Sequence, residues 1–169
     1  MALPDFYIAS PGTSTNWKAS GGTRAMTPTS LANGSAWQGV LMNLGSSWAR
    51  RQKVTLRLKL NAAGTNGNSV EVYFSESIDG TNFDGGASGL DATFANSSEK
   101  KYQMTPVGEL PVSNALGTGW QQKSWEYNPR SQYIAPVVVN GSGVAFSGTA
   151  ADFELIIQPI NEGIAESAP

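Results

Sequence analysis

Carboxylates are the only common acid–base side chains in this sequence, because it contains no His and no Cys. A Ser-His-Asp or Cys-His nucleophile, a zinc site built on nitrogen or sulfur, a His- or Cys-ligated haem and a disulfide scaffold are thereby excluded. Glycoside hydrolysis needs two carboxylates flanking a cleft. The candidates are Glu71, Glu76, Asp79, Asp84, Asp91, Glu126 and Glu154. Glu71 and Glu154 fall on the polar phase of alternating segments, and Asp79 falls in a turn. The pattern therefore reads as solvated strand faces and turn caps, and no catalytic residue is assigned. Asp79, Asn82, Asp84 and Asp91 also gather hard oxygen donors in a Gly-rich stretch, which calcium favours. Their spacing departs from that of a calcium loop, and short Asx side chains are the usual occupants of turns. No metal and no cofactor is expected.

Aromatic faces can stack on sugar rings, and Trp37, Trp48, Trp120, Trp125, Tyr73 and Tyr127 are the residues available for such a platform. In a small β protein these side chains more often fill a core or a subunit interface. Asn33, Asn96 and Asn140 each open a glycosylation sequon, which turn composition alone explains. Arg50-Arg51-Gln52-Lys53 is the densest basic cluster. Three charges are too few for nucleic acid. They mark the solvated start of a strand or a contact with an acidic partner.

The chain that must position these groups has 169 residues, enough for one domain or one domain with arms. Lys and Arg number 11 and Asp and Glu 13, for a formal net charge of −2. Charged residues make up 14%, against the ~25% usual in soluble domains. Gly, Ser, Thr, Asn and Pro fill about two-fifths of the chain. A chain so close to neutral is a poor fit for sequence-independent nucleic-acid binding. There is no apolar run of about 18 residues, so no membrane span is expected. The opening Met1-Ala-Leu-Pro-Asp5 lacks the basic and apolar regions of a secretory signal.

Strand patterns dominate. Val54, Leu56, Leu58 and Leu60 alternate with Thr55, Arg57 and Lys59, and Val70, Val72 and Phe74 alternate with Glu71, Tyr73 and Ser75. Both read as half-buried antiparallel strands. The charges of Arg57 and Lys59 against Glu71 suit cross-strand pairing of the two. Asp79-Gly80 marks a tight turn. A weaker strand through Tyr102, Met104 and Val107 is broken at Pro106, as at a sheet edge. Segments 120–127, 132–140 and 144–146 read as strands, and Phe153, Leu155 and Ile157 give a closing strand that Pro159 ends. Phe6-Tyr7-Ile8 forms a short strand, Ser10–Gly22 a loop, and 36–44 another short strand. No long helix and no repeat is visible. Roughly seven to nine short strands, with turn signals every ~8–12 residues, predict an all-β antiparallel sandwich, jelly-roll or immunoglobulin-like. Its expected parts are an extended N-terminal arm with the first strands over 1–50, a sandwich over 51–160 and a flexible tail over 161–169.

The order Leu56-Arg-Leu-Lys-Leu60, Val70-Glu-Val-Tyr-Phe-Ser-Glu-Ser-Ile-Asp-Gly-Thr-Asn-Phe83, Ser131-Gln-Tyr-Ile-Ala135 with Val137-Val-Val-Asn-Gly-Ser-Gly143, and Asp152-Phe-Glu-Leu-Ile-Ile-Gln-Pro159 resembles small structural proteins of tailed-bacteriophage virions. It is similar to the β-sandwiches of capsid decoration (cement) or head-fibre proteins. The resemblance implies a non-enzymatic protein made in the host cytoplasm and placed on the capsid surface. It would bind the lattice of the major capsid protein and stabilise the shell, as a homo-oligomer, with a trimer favoured. Expected contact residues are Phe6, Tyr7 and Ile8 in the arm, Trp37, Trp48, and Ile156 on the polar phase of its strand. A different class remains open: a carbohydrate-binding or receptor-binding tail or fibre module, which needs exposed, coplanar aromatics.

Overall fold

A computed structural model describes residues 6–46 and 48–165, with side chains over 12–46 and 48–160. The strands are β1 (Phe6–Pro11), β2 (Thr15–Lys18), β3 (Arg24–Ala25), β4 (Ala36–Gln38), β5 (Met42–Asn43), β6 (Arg51–Leu58), β7 (Ser69–Ser77), β8 (Ala92–Phe94), β9 (Thr105–Pro111), β10 (Gln121–Tyr127), β11 (Tyr133–Gly141) and β12 (Phe153–Ala165). One sheet runs β10-β6-β12-β2-β3, with β1 also paired to β12; the other runs β8-β4-β11-β7-β9, with β5 also paired to β11. Every described pairing is antiparallel except β2 with β3. The fold is the all-β sandwich that the alternation predicts.

The apolar phase of each long strand points between the sheets. Val54, Leu56 and Leu58 of β6 and Leu155 and Ile157 of β12 face Val70, Val72 and Phe74 of β7 and Ile134 and Val138 of β11. All are buried to 1% exposure or less. Truncating one such Leu or Ile to Ala costs about 2–5 kcal/mol through lost transfer energy and the cavity left behind.

β11 breaks the alternation, since Ile134 to Asn140 are all buried. Its other face carries Ala135, Val137 and Val139, which pack with Phe83, Ala87, Phe94 and Met104 in a second cluster. The excursion after β7 supplies that cover. It contains a short turn at Asp84–Gly86, β8 and the six-residue helix α1 (Ser98–Gln103). The Ser97 hydroxyl caps α1 by accepting from the Lys100 N–H. This satisfies one of the amides that a helix start leaves unpaired.

Several expectations are corrected. Ser10–Gly22 is not all loop, because β2 lies within it and its Trp17 is fully buried against Phe74. The Trp17 indole donates to the Val40 carbonyl at 2.7 Å. Residues 15–43 thus contribute strands to both sheets. The 36–44 strand is two short ones, β4 and β5. Residues 144–146 form no strand, only a bridge from Phe146 to Leu60. Pro159 does not end its strand: it sits opposite Gln52, and its carbonyl accepts from the Gly12 N–H at 2.7 Å. Proline lacks only the donor, so the acceptor side of the ladder survives. Residues 161–165 continue β12 instead of forming a tail, while 166–169 lie outside the described residues. β6 and β7 are in different sheets, so Arg57 and Lys59 do not pair with Glu71. Their carboxylate partners are Glu154 and Asp152, and Glu71 pairs with Lys101.

One buried carboxylate joins the two sheets. Glu76 of β7 is 2% exposed and lies on the inward phase of its strand. It accepts from the Tyr127 hydroxyl of β10 at 2.9 Å, the Thr105 hydroxyl of β9 at 2.9 Å and the Arg130 N–H at 2.8 Å. Burial and the adjoining Glu76 push the Tyr127 phenol far above its ordinary value, so it stays a donor. Glu76→Gln puts an amide NH2 where only acceptors fit. The expected loss is about 2 kcal/mol of unfolding free energy, against about 1 kcal/mol for Tyr127→Phe, read from urea unfolding curves.

Candidate interaction site

Trp37 is half-buried against the main core, and its indole donates to Asp91 at 2.6 Å. Its indole N–H is thus already engaged within the chain. Ile156 is half-buried on the outer face of its sheet, in register between Thr55 and Asn16. Trp48 is half-buried in a cleft with Arg50, Arg51, Asn128, Pro129 and Arg130. Phe6, Tyr7 and Ile8 lie in β1, opposite Ala165, Ile164 and Gly163; their side chains lie outside the described ones. Of the three whose side chains are described, Trp37 packs on the core, Ile156 lies on the outer face of its sheet and Trp48 lines the cleft.

The aromatic residues are also dispersed. Tyr127 is buried, while Tyr73 and Trp125 are half-buried. Trp125 lies over Gly108 of β9, where any Cβ would overlap the indole. Trp120, 38% exposed, sits under Arg57 and Lys59, whose charged atoms are 4.2 and 4.9 Å from its ring centre. Such cation–π contacts fix the ring to the sheet.

The oxygen donors grouped by sequence serve separate fasteners. Asp79 accepts from the Thr81 and Asn82 N–H groups at 2.8 Å and from the Asn82 side chain at 2.8 Å. Asp91 accepts from the Thr27 N–H and hydroxyl and from Trp37. The Asp84 carbonyl accepts from the Ser75 hydroxyl. Among the described residues no three His, Cys, Asp or Glu side chains form a metal-binding group. Asn140, one of the sequon residues, is fully buried, and its amide donates to the carbonyls of Leu31 and Val144 at 2.8 Å each.

Glu154, Asp152 and Glu71 are tied to cations. Glu154 meets Lys18 at 2.7 Å and Arg57 at 3.7 Å, and Asp152 meets Lys59 at 2.8 Å. Lys59 and the Ser147 hydroxyl hold the Asp152 carboxyl below its ordinary range. Burial raises the Glu71 carboxyl, but hydrogen bonds from Lys101 and Tyr73 outweigh it and the net shift is downward. Burial and Glu71 in turn push the Tyr73 phenol upward. The lowered carboxyls of Glu71 and Asp152 are charged at neutral pH, and the Tyr73 phenol is neutral.

The Trp48 cleft differs in its arginines. Arg51 is paired with Glu126 at 2.7 Å. Arg50 and Arg130 are exposed, and neither forms an ion pair among the described residues. Arg50 and Arg51 are visible in the sequence as a cluster. Arg130 joins them only because the start of β6 lies beside the end of β10, where Tyr127 stands opposite Gln52. Compared with known proteins, this chain matches no family and no curated sequence.

The Asp79 turn yields a pH signature. Donated hydrogen bonds from the Asn82 and Thr81 backbone, then from the Asn82 and Ser77 side chains, hold its carboxyl well below the ordinary range. Unfolded Asp takes up a proton near pH ~3.9, before the folded group does, so falling pH favours the unfolded chain. Stability from this group is complete above that pH and is lost progressively below it. Asp79→Asn cannot titrate, so its unfolding free energy falls less steeply than the wild type's between about pH 4 and pH 2. Urea unfolding over that range measures the difference in slope.

Proposed function

We propose that this chain is a non-enzymatic structural protein of a tailed-bacteriophage virion, which decorates the capsid and stabilises it by binding the lattice of the major capsid protein. The observation that carries the reading is the ribbon of β1 with the end of β12. β6 pairs with β12 only as far as Ile160, opposite Arg51. Beyond that point Asn161–Ala165 pair with Phe6–Ser10 and with no other described strand. A ribbon of two strands is marginal by itself in water and gains stability from a further strand or a packing surface. In this reading the ribbon is the N-terminal arm, and a neighbouring subunit supplies that surface. Apolar area buried there contributes roughly 25 cal/mol per Å2 before the cost of association. Many copies on one lattice add avidity. The virion-protein resemblance of residues 52–159 supports the same reading, as does a set of carboxylates engaged in ion pairs and turns.

The test removes residues 1–11. A longer deletion reaches β2 and takes away Trp17, which is 0% exposed, so it would unfold the body. The shortened chain is expected to keep its β circular dichroism, to lose co-sedimentation with purified capsids and to shift to a lower oligomeric state. Unchanged binding together with an unchanged oligomeric state overturns the role of the arm. Copy number per particle separates the placements: hundreds of copies fit decoration, whereas a few copies fit a tail or fibre.

A further inference from the structure

Two turns meet at the end of the sandwich where β6 begins and β10 stops. Between them lies an open cleft of about 720 Å3, lined by Ser46, Trp48, Arg50, Arg51, Asn128, Pro129 and Arg130. Three of the eleven Lys and Arg residues of the chain gather here. Both turns are anchored. Pro129 is buried, and the Arg130 N–H donates to the buried Glu76 at 2.8 Å. On the other side the Gln52 amide donates to the Ala49 carbonyl at 2.9 Å. The guanidinium groups of Arg50 and Arg130 therefore extend from a fixed frame, which reduces the ordering cost of binding.

We infer that this cleft binds an acidic peptide segment of a partner protein, whose carboxylates pair with Arg50 and Arg130 while an apolar side chain packs on Trp48. The inference deepens the capsid-binding reading, because it names the docking surface and the chemistry of the partner, and it rests on that reading for the partner being a protein. Arg50 and Arg130 form no ion pair among the described residues, so the cleft presents two available guanidinium groups in a chain whose net charge is −2. Guanidinium groups pair with carboxylates through two parallel hydrogen bonds. Arginine and tryptophan side by side are the composition of an interface anchor. The cleft falls in the ~300–1,000 Å3 range of ligand sites and is far larger than one inorganic anion needs. A nucleic-acid strand would need a longer track of cations than these three, without a carboxylate among them.

The experiment uses the full chain, 15N-labelled, with the tryptophan indole and arginine Nε signals followed by NMR. The probes are a hexapeptide alternating Glu and Leu, its Lys and Leu counterpart, inorganic phosphate and a hexanucleotide. The acidic peptide is expected to give saturable shifts at Trp48, Arg50 and Arg130, and to bind more weakly as salt is added. Arg130→Glu is expected to weaken that binding about tenfold or more, as loss and reversal of one interfacial charge does. Lys123→Glu, an exposed cation of β10 outside the cleft lining, is expected to leave it unchanged. The Arg130 change keeps the backbone bond to Glu76, and Arg50→Glu serves as a second variant on the other turn. An absent acidic-peptide response, or equal weakening by the Arg130 and Lys123 changes, overturns the inference. Tighter binding of phosphate or the hexanucleotide overturns the peptide assignment. Co-sedimentation with capsids by a chain that ignores the peptide sinks the cleft and leaves the capsid reading standing.

Discussion

A strand buried on both faces cannot form the outer wall of a two-layer protein, and β11 is such a strand. Its inward side chains complete the main core, while Ala135, Val137 and Val139 demand a second cover. The excursion from Ile78 to Met104 meets that demand: β8 extends the sheet at its edge, and Phe83, Ala87 and Met104 cover its outer face. Its fastenings follow from the same need. Asp79 folds the turn at its start, Ser75 bonds the Asp84 carbonyl, and Asp91 ties its far side to Thr27 and Trp37. Residues that resemble a cation loop in one dimension are, in three, the separate attachment points of a cover.

Charge is used with the same economy. Lys18, Arg57 and Glu154 form one group on the outer face of a sheet, and Lys59 with Asp152 forms another. Lys101 and Glu71 lock α1 to β7. Ion pairs at a protein surface contribute about 0–1 kcal/mol each, and each of these has its cation partly in solvent, so their effect lies more in which segments they align. Against that background Arg50 and Arg130 beside Trp48 are the exception, since neither forms an ion pair among the described residues.

The long strands were legible because alternation is local: each residue's face follows from its neighbours two positions away. β6 and β7 fall within two residues of the spans Gln52–Leu60 and Ser69–Ser77 that the alternation marks out. Partner choice is not local. Arg57, Lys59 and Glu71 carry complementary charges in consecutive strands, yet the chain crosses between sheets after Leu60 and separates them. β2 was hidden because four residues among Gly, Ser and Thr show no period, and Trp17 is buried by strands far along the chain. Val137-Val138-Val139 looked like a strand without revealing that both its faces are covered. The Trp48 cleft was half legible, through Arg50 and Arg51, while Arg130 waits on the pairing of β10 with β6.

β12 runs unbroken for 13 residues, from the centre of one sheet into the terminal ribbon. Within the body it is bonded to β6 on one side and to β2 on the other. Antiparallel ladder bonds lie perpendicular to their strands. Tension drawn along the ribbon would therefore load these bonds together in shear, instead of opening them one by one. The ribbon is thus rooted in the middle of a sheet, and a pull on it is carried into the sandwich instead of stopping at an edge.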